Sequence, residues 1–358
     1  MIPSLTSLFS SPPDLTYGRA SLPYNKYELA FRSAPYHHTE YIVPFPNHPT
    51  YPNADHFIYY QTWSLSNVKQ RNLDVMIVHG MDGYGGRFSQ HIDPALREGF
   101  RVIALDLPSF GRSSGKHAYL NDWKELTEAV HCVIDHLKKE NENYTDTKLS
   151  SKGSTLPYDS RPNPRKLVLC GESLGGFITL CYSILYPHTI DAIHLFCPLV
   201  FVSETSRPSK LIELVAKVIA KSPLGYLPMS YAMVGKGSSD PKLEEEFRND
   251  PMTYSGGLRG STGIALLHGT LWLEANLQEV SHAFFVQHGT SDRVCAVEGS
   301  QLLYEKARTP LKNKKLVLYD GLEHELLRGV GCDKVIEDWV AWLIEIDENE
   351  SNQKREEK

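Results

Sequence analysis

The chain has 358 residues, of which 41% are hydrophobic and 22% are charged, and its formal net charge is -6 at pH 7. A chain of this length buries a sizeable core, which fits one large α/β domain with an insertion, or two domains. The acidic balance lacks the global basic character of nucleic-acid-binding proteins, so we expect no nucleic-acid partner.

The sequence shows no obvious targeting or membrane-spanning segment. No stretch of about 18 uninterrupted apolar residues occurs, so we expect no transmembrane helix. Residues 1–20 lack the basic flank and apolar run of a signal peptide. The six cysteines form no CxxC pair, a pattern typical of reduced thiols in a cytosolic protein. These features predict a cytoplasmic protein.

In chain order, strands alternate with helices after a weakly patterned start. Residues 1–39 are rich in Ser, Pro and Tyr, and we interpret them as an N-terminal surface arm. β-prone or short apolar runs predict strands at 40–45, 56–63, 74–78, 101–105, 167–170, 190–196, 282–287 and 315–319. Apolar residues at helical spacing predict helices at 87–98, 121–139, 177–185, 258–277, 298–308 and 335–346. The alternation predicts an α/β fold with a mainly parallel central sheet flanked by helices.

Two segments interrupt this alternation within a single domain at residues 1–358. Residues 141–164 are polar, with Ser, Lys, Asn, Gly and Pro, and we interpret them as a mobile insertion between a helix and a strand. Residues 199–257 contain helix-like stretches without a convincing central strand. We therefore expect a helical cap there.

One short motif indicates a nucleophile. The apolar run at 167–170 leads into Gly171-Glu172-Ser173-Leu174-Gly175, and an amphipathic helix follows. A strand, a Gly-x-Ser-x-Gly turn and a helix form the context of a nucleophile elbow, in which a strained turn exposes the serine hydroxyl above the sheet. The alternative is a glycine-rich turn with a solvated serine.

A serine nucleophile needs a base and an orienting carboxylate. In α/β hydrolases these follow in the order Ser, acid, His. Asp292 comes directly after a late strand and His324 after the last one, so both belong to loops at the sheet edge that carries Ser173. Glu204 and Glu298 compete for the role of the acid, but Asp292 is favoured because it directly ends a strand.

The tetrahedral intermediate of acyl transfer needs backbone N–H donors for its oxyanion. One is expected from Leu174, directly after the nucleophile. The other is expected from Met81, which follows His79-Gly80 in the loop after the 74–78 strand. The alternative for His79-Gly80 is a turn that simply ends the strand.

Taken together, these residues resemble the monoacylglycerol lipase and lysophospholipase group of α/β hydrolases, in collinear order over about residues 55–346. The resemblance rests on His79-Gly80-Met81, Gly86-Arg87-Phe88, Asp106, Gly111-Arg112-Ser113, Gly171-Glu172-Ser173-Leu174-Gly175-Gly176, Asp250-Pro251, His288-Gly289, Asp292-Arg293-Val294-Cys295, Gly321 and His324-Glu325. It implies a cap over an apolar acyl tunnel, a triad of Ser173, Asp292 and His324, and an oxyanion hole formed by the Met81 and Leu174 amides.

The chain departs from this family at four positions. Asp82 stands where a second Gly is frequent, and Gly83 and Tyr84 stand where the family often has a Glu-His pair. Glu172 precedes the nucleophile, where His is frequent.

Cys295, three residues after Asp292, has two interpretations. A free cysteine is usually a small buried hydrophobe. The resemblance instead implies a thiol at the wall of the active site.

The predicted activity is that of a serine hydrolase cleaving a carboxylic ester with a long acyl chain, monoacylglycerol first. The alternatives are a broader carboxylesterase, a lysophospholipase or an acyltransferase, and, in another class, a non-catalytic ligand-binding protein on the same fold. The triad chemistry requires no metal and no organic cofactor.

The predicted cap contains an amphipathic stretch with apolar residues on one face and lysines on another. The stripe either packs on the catalytic domain or rests on an anionic membrane or lipid-droplet surface. An apolar cluster follows it and is placed at the mouth of an acyl tunnel. The residues predicted to line the cap or tunnel are Leu214, Ile219, Leu224, Leu227 and Met229.

Overall fold

The computed structural model describes residues 14–46, 50, 55–150, 165–202, 223–228 and 237–356. In this part of the chain eight strands form one sheet, in the order β1-β2-β4-β3-β5-β6-β7-β8. β1 and β2 pair antiparallel, as do β2 and β4, and every other neighbouring pair is parallel. The strands are β1 (Tyr36–Pro44), β2 (Phe57–Leu65), β3 (Leu73–Val78), β4 (Arg101–Leu105), β5 (Lys166–Glu172), β6 (Ala192–Phe196), β7 (Ala283–Gly289) and β8 (Lys314–Tyr319).

Helices connect these strands and cover both faces of the sheet. They are α1 (Lys26–Ala30), α2 (Asp93–Arg97), α3 (Lys124–Ser150), α4 (Leu174–Leu185), α5 (Pro241–Asn249), α6 (Gly260–Asn276), α7 (Val297–Lys306) and α8 (Cys332–Glu356). The prediction of a mainly parallel sheet flanked by helices is confirmed.

The core lies in two layers because side chains alternate along each strand. Met76 and Val78 of β3 belong to a hydrophobic cluster that also contains residues of α3, α4 and α6. Val75 and Ile77 belong to a second cluster that contains residues of α2 and α8. β3 is buried on both faces, which is typical of a central parallel strand.

Three helix predictions were wrong at their boundaries. The helix predicted at 335–346 runs from Cys332 to Glu356 as α8. The stretch 87–98 is a short 3-10 helix, Gly85–His91, followed by α2, because Pro94 lies in the first turn of a new helix, where its missing N–H costs nothing. The helix predicted at 121–139 continues to Ser150 as α3, into the segment interpreted as an insertion. The rest of that insertion, 151–164, lies outside the described residues.

The N-terminal segment is more than the surface arm that the sequence predicts. α1 begins with a capping box between Asn25 and Glu28, and β1 starts at Tyr36. Arg19 and Glu28 are buried. The sequence gives no hint of this packing because the partners of these residues lie far along the chain.

The predicted cap is described only in part. Leu214, Ile219 and Met229 lie outside the described residues. Leu224 lies in a short 3-10 helix, Pro223–Tyr226, whose first two side chains are outside the description, and Leu227 is exposed. Among the described helices none is long and apolar enough to cross a membrane.

Candidate active site

Ser173 lies at the junction of β5 and α4, in a backbone conformation that few residues adopt. Its φ is 53°, in the region normally reserved for glycine. A Cβ at Gly171 would overlap the Gly175 carbonyl oxygen, and a Cβ at Gly175 would overlap that of Val78. The two glycines of the motif are therefore needed for the close approach of β5, α4 and β3, and the turn has the geometry of a nucleophile elbow.

Asp292 and His324 meet at the same edge of the sheet. Asp292 follows β7, His324 follows β8, and His324 Nδ1 lies 2.7 Å from Asp292 Oδ2. Asp292 can only accept when ionised, so Nδ1 donates and Nε2 is left as an acceptor of a proton. A neutral His324 of this tautomer can act as a general base.

Asp292 is held by partners that sequence reasoning did not assign. Its Oδ1 accepts from the amides of Val294 at 2.7 Å and Cys295 at 2.9 Å. His288 Nε2 lies 3.1 Å from Oδ2. Burial alone would raise the pKa of Asp292, but the hydrogen bonds from His288 and His324 outweigh it and hold the pKa well below its ordinary value. The sequence feature that could have indicated this role of His288 is the motif His288-Gly289 at the end of β7.

No hydrogen bond joins the side chains of Ser173 and His324 in the described structure. Ser173 Oγ instead contacts Cys295 Sγ, at 3.8 Å. Catalytic hydrogen bonds are often long in the absence of substrate and tighten in the complex. Cys295 thus links the two parts of the site, because its sulfur contacts the proposed nucleophile and its amide donates to Asp292, the partner of His324.

Cys295 combines features of both interpretations made from the sequence. The side chain is buried, and burial raises the pKa of its thiol. It also touches the hydroxyl of Ser173.

The loop after β3 lies against the nucleophile. A Cβ on Gly80 would stand 3.3 Å from the Ser173 Cβ, so the next residue, Met81, is close to the reacting centre. Leu174 is the first residue of α4, where backbone N–H groups have no acceptor within the helix. In the described part of the chain, neither the Met81 amide nor the Leu174 amide is a donor in a hydrogen bond.

His79 fixes the start of this loop. Its Nδ1 lies 2.7 Å from the Gly80 carbonyl oxygen, and its Nε2 accepts from the Leu107 amide at 3.0 Å. Burial lowers the pKa of His79 to about 4, so the ring stays neutral and keeps this pair of contacts. His79 therefore positions the backbone that leads to Met81.

Comparison with known proteins agrees with this geometry. A family model described as Hydrolase_4, serine aminopeptidase S33, matches residues 69–153 and 155–329. The chain belongs to this family.

Its similarity to individual proteins points to ester hydrolysis. The chain is 30% identical to caffeoylshikimate esterase of Arabidopsis thaliana, over 69% of this chain and 70% of that protein. It is 27% identical to monoacylglycerol lipase of Mycolicibacterium smegmatis, over 75% of this chain and 87% of that protein. The crystal structure of Paleococcus ferrophilus monoacylglycerol lipase superposes with a TM-score of 0.64 at 22% identity, covering 81% of this chain and 99% of that chain. The chain is a serine ester hydrolase of the monoacylglycerol lipase type.

This hydrolase has a small charged cavity beside the elbow. The cavity measures about 40 Å³, and Ser173 and His324 do not line it. Its charged and titratable lining residues are His79, Tyr84, Arg87, His91, Glu172, Glu325 and Arg328. It lies between the loop after β3 and Glu172, which stands where a histidine is frequent in the family.

Two carboxylates of this cavity act on the proposed base. Burial raises the pKa of Glu172, and the charge of Glu325 raises it further. Burial alone would lower the pKa of His324, but the hydrogen bond and charge of Asp292, with the charges of Glu172 and Glu325, raise it above its ordinary value. From the sequence, Glu172 was recognised as a departure from the family pattern. No role was predicted for Glu325, which directly follows His324.

Among the residues that the structure describes, one group of side chains has metal-ligand character. Cys197, His288 and Asp292 place potential ligand atoms within 4.8 Å of one another. His288 is already engaged through Nδ1 with Ser300 Oγ, at 2.7 Å, and through Nε2 with Asp292. Burial raises the pKa of the Cys197 thiol, which opposes the thiolate that a metal needs. The position of His288 in this group is therefore explained by its contact with Asp292, which helps to hold the carboxylate in place.

Proposed function

We propose that this hydrolase cleaves the carboxylic ester of a lipid with a long acyl chain, monoacylglycerol first, through an acyl-enzyme on Ser173. The observation that supports it is the Asp292–His324 hydrogen bond at 2.7 Å, beside a serine in an elbow conformation. Several of the proteins similar to this chain are monoacylglycerol or monoglyceride lipases by name.

The proposed reaction follows from the positions of these groups. His324 Nε2 takes the proton of Ser173 as the oxygen attacks the ester carbonyl, and Asp292 stabilises the imidazolium that forms. The oxyanion accepts hydrogen bonds from the Met81 and Leu174 amides. His324 then gives the proton to the departing alcohol, and water releases the fatty acid by the same steps.

The substrate reaches Ser173, in this proposal, beneath a helical cap of about residues 199–257 on a single catalytic domain. Hydrogen bonds between the end of the cap and the loop after β3 support it. The Tyr254 amide donates to the Asp82 carbonyl at 2.9 Å, and the Tyr84 hydroxyl donates to Asp250 Oδ2 at 2.9 Å.

A broader carboxylesterase is the second candidate. Its support is the 30% identity to a protein named caffeoylshikimate esterase, whose name denotes an aromatic acyl group. Lysophospholipase and acyltransferase activities share the same acyl-enzyme and differ in the leaving group or the acceptor.

A fluorophosphonate probe and a substrate panel test the proposal. We expect the probe to label the wild-type protein and not Ser173→Ala, whereas a non-catalytic binding protein is labelled in neither form. The panel compares monoacylglycerol, a lysophospholipid, a caffeoyl ester and a short-chain ester, each with and without glycerol as acyl acceptor. The highest kcat/KM is expected for monoacylglycerol. A higher value for the caffeoyl or lysophospholipid ester would replace the proposed substrate.

A further inference from the structure

Two consecutive hydrogen bonds connect the N-terminal segment to the end of the cap. The Asn25 Nδ2 group donates to the Tyr84 hydroxyl at 2.9 Å, and the Tyr84 hydroxyl donates to Asp250 Oδ2 at 2.9 Å. Asn25 precedes α1, Tyr84 lies in the loop after β3, and Asp250 directly follows α5. This Asn25–Tyr84–Asp250 relay therefore joins three parts of the protein that are far apart in sequence.

The direction of the relay is fixed by the side-chain amide of Asn25. Its Oδ1 accepts from the backbone amides of Tyr27 at 2.9 Å and Glu28 at 2.8 Å, and so caps α1. With the oxygen used for the cap, the NH2 group faces Tyr84. Because an amide NH2 group only donates and an ionised carboxylate only accepts, the one proton of the Tyr84 hydroxyl is given to Asp250.

The start of the relay is anchored on the central sheet. Gln61 Nε2 of β2 donates to Glu28 Oε1 of α1 at 2.8 Å, and both side chains are buried. A Cβ on Gly86 would overlap the same Glu28 oxygen, so this glycine lets α1 lie directly against the 3-10 helix at 85–91. The sheet and this helix therefore set the position of Asn25 independently of the cap.

The other end of the relay is fixed within the cap. Asp250 Oδ1 accepts from the Met252 amide at 2.9 Å, which orients the carboxylate so that Oδ2 meets Tyr84. The Arg87 guanidinium lies 4.0 Å from the same Oδ2 and 4.8 Å from the centre of the Phe247 ring. Tyr84 is buried and the Asp250 side chain is 18% exposed, so water competes little for these hydrogen bonds.

A second polar link between α1 and α5 is exposed. Lys26 Nζ lies 3.7 Å from Glu246 Oε1, and these side chains are 71% and 50% exposed. Exposed ion pairs of this kind contribute little, because water and salt screen them. Of these two links, the buried relay is therefore the one expected to hold the end of the cap.

We propose that Asn25 and Tyr84 are positioning residues for the cap, which hold its end against the catalytic domain and thereby favour esters with a long acyl chain. The inference rests on the proposed function, because it requires the proposed cap to cover the acyl chain. A long chain needs apolar cover along its whole length, whereas a short chain needs less of it. Release of the cap end should therefore weaken binding of long-chain esters in particular.

Asn25→Asp tests the direction of the relay. Aspartate caps a helix as well as asparagine does, so α1 keeps its start. The Tyr84 hydroxyl then has one proton for two carboxylates, and Asp250 loses its donor or faces a like charge. Asn25→Ser also keeps a helix cap and lacks the NH2 group, so it tests loss of the donor without an added charge.

Lys26→Gln is the matched control. It changes the residue next to Asn25, alters the net charge in the same direction and by the same amount as Asn25→Asp, and removes only the exposed link. The double variant Asn25→Asp with Asp250→Asn tests rescue. In that variant the new amide at position 250 can donate to Tyr84, which can donate to the new carboxylate at position 25, so the relay runs in the opposite direction.

Hydrogen exchange at residues 241–254 measures whether the end of the cap is held. We expect Asn25→Asp to accelerate exchange there by about tenfold, the usual effect of losing a hydrogen bond to a charged group. Asn25→Ser should have a smaller effect in the same direction, and Lys26→Gln should leave exchange unchanged. The double variant is expected to recover most of the protection.

The same proteins are assayed with a long-chain monoacylglycerol and with monobutyrin, the glycerol ester of a short-chain acid. Asn25→Asp is expected to raise KM for the long-chain ester by about tenfold with little change in kcat, because the relay does not touch the reacting atoms. Monobutyrin should react as with the wild type. A merely structural role would instead lower kcat with both esters, since fewer molecules would be folded.

The proposal is overturned by unchanged hydrogen exchange in Asn25→Asp, by an equal loss with both esters or no loss with either, or by a double variant without recovery. Failure of the proposed function is recognised separately, because the wild type would then neither react with fluorophosphonate nor cleave either ester. Hydrogen exchange would still report whether the relay holds the cap.

Discussion

At the scale of single residues, hydrogen bonds from neighbouring groups position the proposed triad. Val294, Cys295 and His288 hold Asp292, and Asp292 in turn fixes the ring of His324. A carboxylate with several donors has little freedom, so the imidazole it orients has one tautomer and one direction.

Removal of the proposed triad residues tests their roles. Ser173→Ala and His324→Ala are expected to lower turnover by on the order of 10⁴ or more. Asp292→Asn is expected to leave residual activity, because the amide still contacts the ring but disturbs its tautomer. Hydrolysis rates are measured beside circular dichroism as a control of folding. A folded Ser173→Ala protein with normal turnover would disprove the assignment.

We expect the charge of Glu172 to contribute to the loss of activity at low pH. The base must be neutral, and the carboxylates near His324 raise its pKa, so the acid limb of the pH–rate profile moves toward higher pH. Glu172→Gln removes one of these charges, so the pKa of His324 falls and the limb is expected to shift to lower pH. The profile of kcat/KM measures this directly. Glu245→Gln, at an exposed position of α5, removes an acid of the same charge and should not move the limb. An unchanged limb in Glu172→Gln would show that Glu172 does not act on the base.

Cys295 provides a chemical probe of the same site. Its sulfur lies 3.8 Å from the Ser173 oxygen, so a bulky adduct there would block the ester. Because burial raises the pKa of the thiol, modification should be slow and should accelerate at high pH. Maleimide is expected to inactivate the wild type and to spare Cys295→Ser. Equal inactivation of both proteins would assign the effect to another cysteine.

At the scale of elements, the site is assembled where strands end. Ser173, Asp292 and His324 follow β5, β7 and β8, whose carboxyl ends lie at one edge of the sheet. The loop after β3 reaches the same edge and is tied to the end of the cap through Tyr254 and Asp250. Movement of the cap would therefore also move the loop that carries Met81.

The amphipathic stretch of the cap gives a prediction about membranes. If it rests on an anionic lipid surface, Leu214→Asp or Ile219→Asp should weaken binding to anionic vesicles and slow turnover of a long-chain ester. A soluble short-chain ester should react as before, because it reaches Ser173 from water. Co-sedimentation with vesicles and both assays decide the question. Equal loss of both activities would show that the stripe is part of the core, and unchanged binding would remove the membrane role.

At the scale of the whole molecule, the N-terminal segment clamps the loop after β4. Arg19 donates to the carbonyl oxygens of Gly111 at 2.7 Å and of Ser113 and Gly115 at 2.8 Å each. These residues are 92 to 96 positions away in sequence, and the bonds are buried. A planar guanidinium suits such a set of acceptors.

Arg19→Ala should destabilise the fold, because three buried carbonyl groups lose a charged donor. We expect the free energy of unfolding to fall by about 2–4 kcal/mol, measured by chemical denaturation. Arg97→Ala is the control, because the guanidinium of its ion pair with Asp93 is exposed and the pair should contribute much less to stability. Similar values for the two variants would show that the clamp adds little stability.

Features that depend only on residues close together in the chain could be predicted from the sequence. The apolar run, the glycines on either side of Ser173 and the following helical periodicity are local, and they predicted the elbow. The chain order of Asp292 and His324 after late strands predicted that they share an edge, because parallel strands place all their carboxyl ends together.

Contacts between residues that are far apart in the sequence are visible only in the folded structure. Cys295 meets Ser173 across 122 positions of sequence. Glu325 faces Glu172, and Arg19 spans to the loop after β4. Such contacts leave no periodic trace in the sequence, because they depend on how whole strands and loops pack.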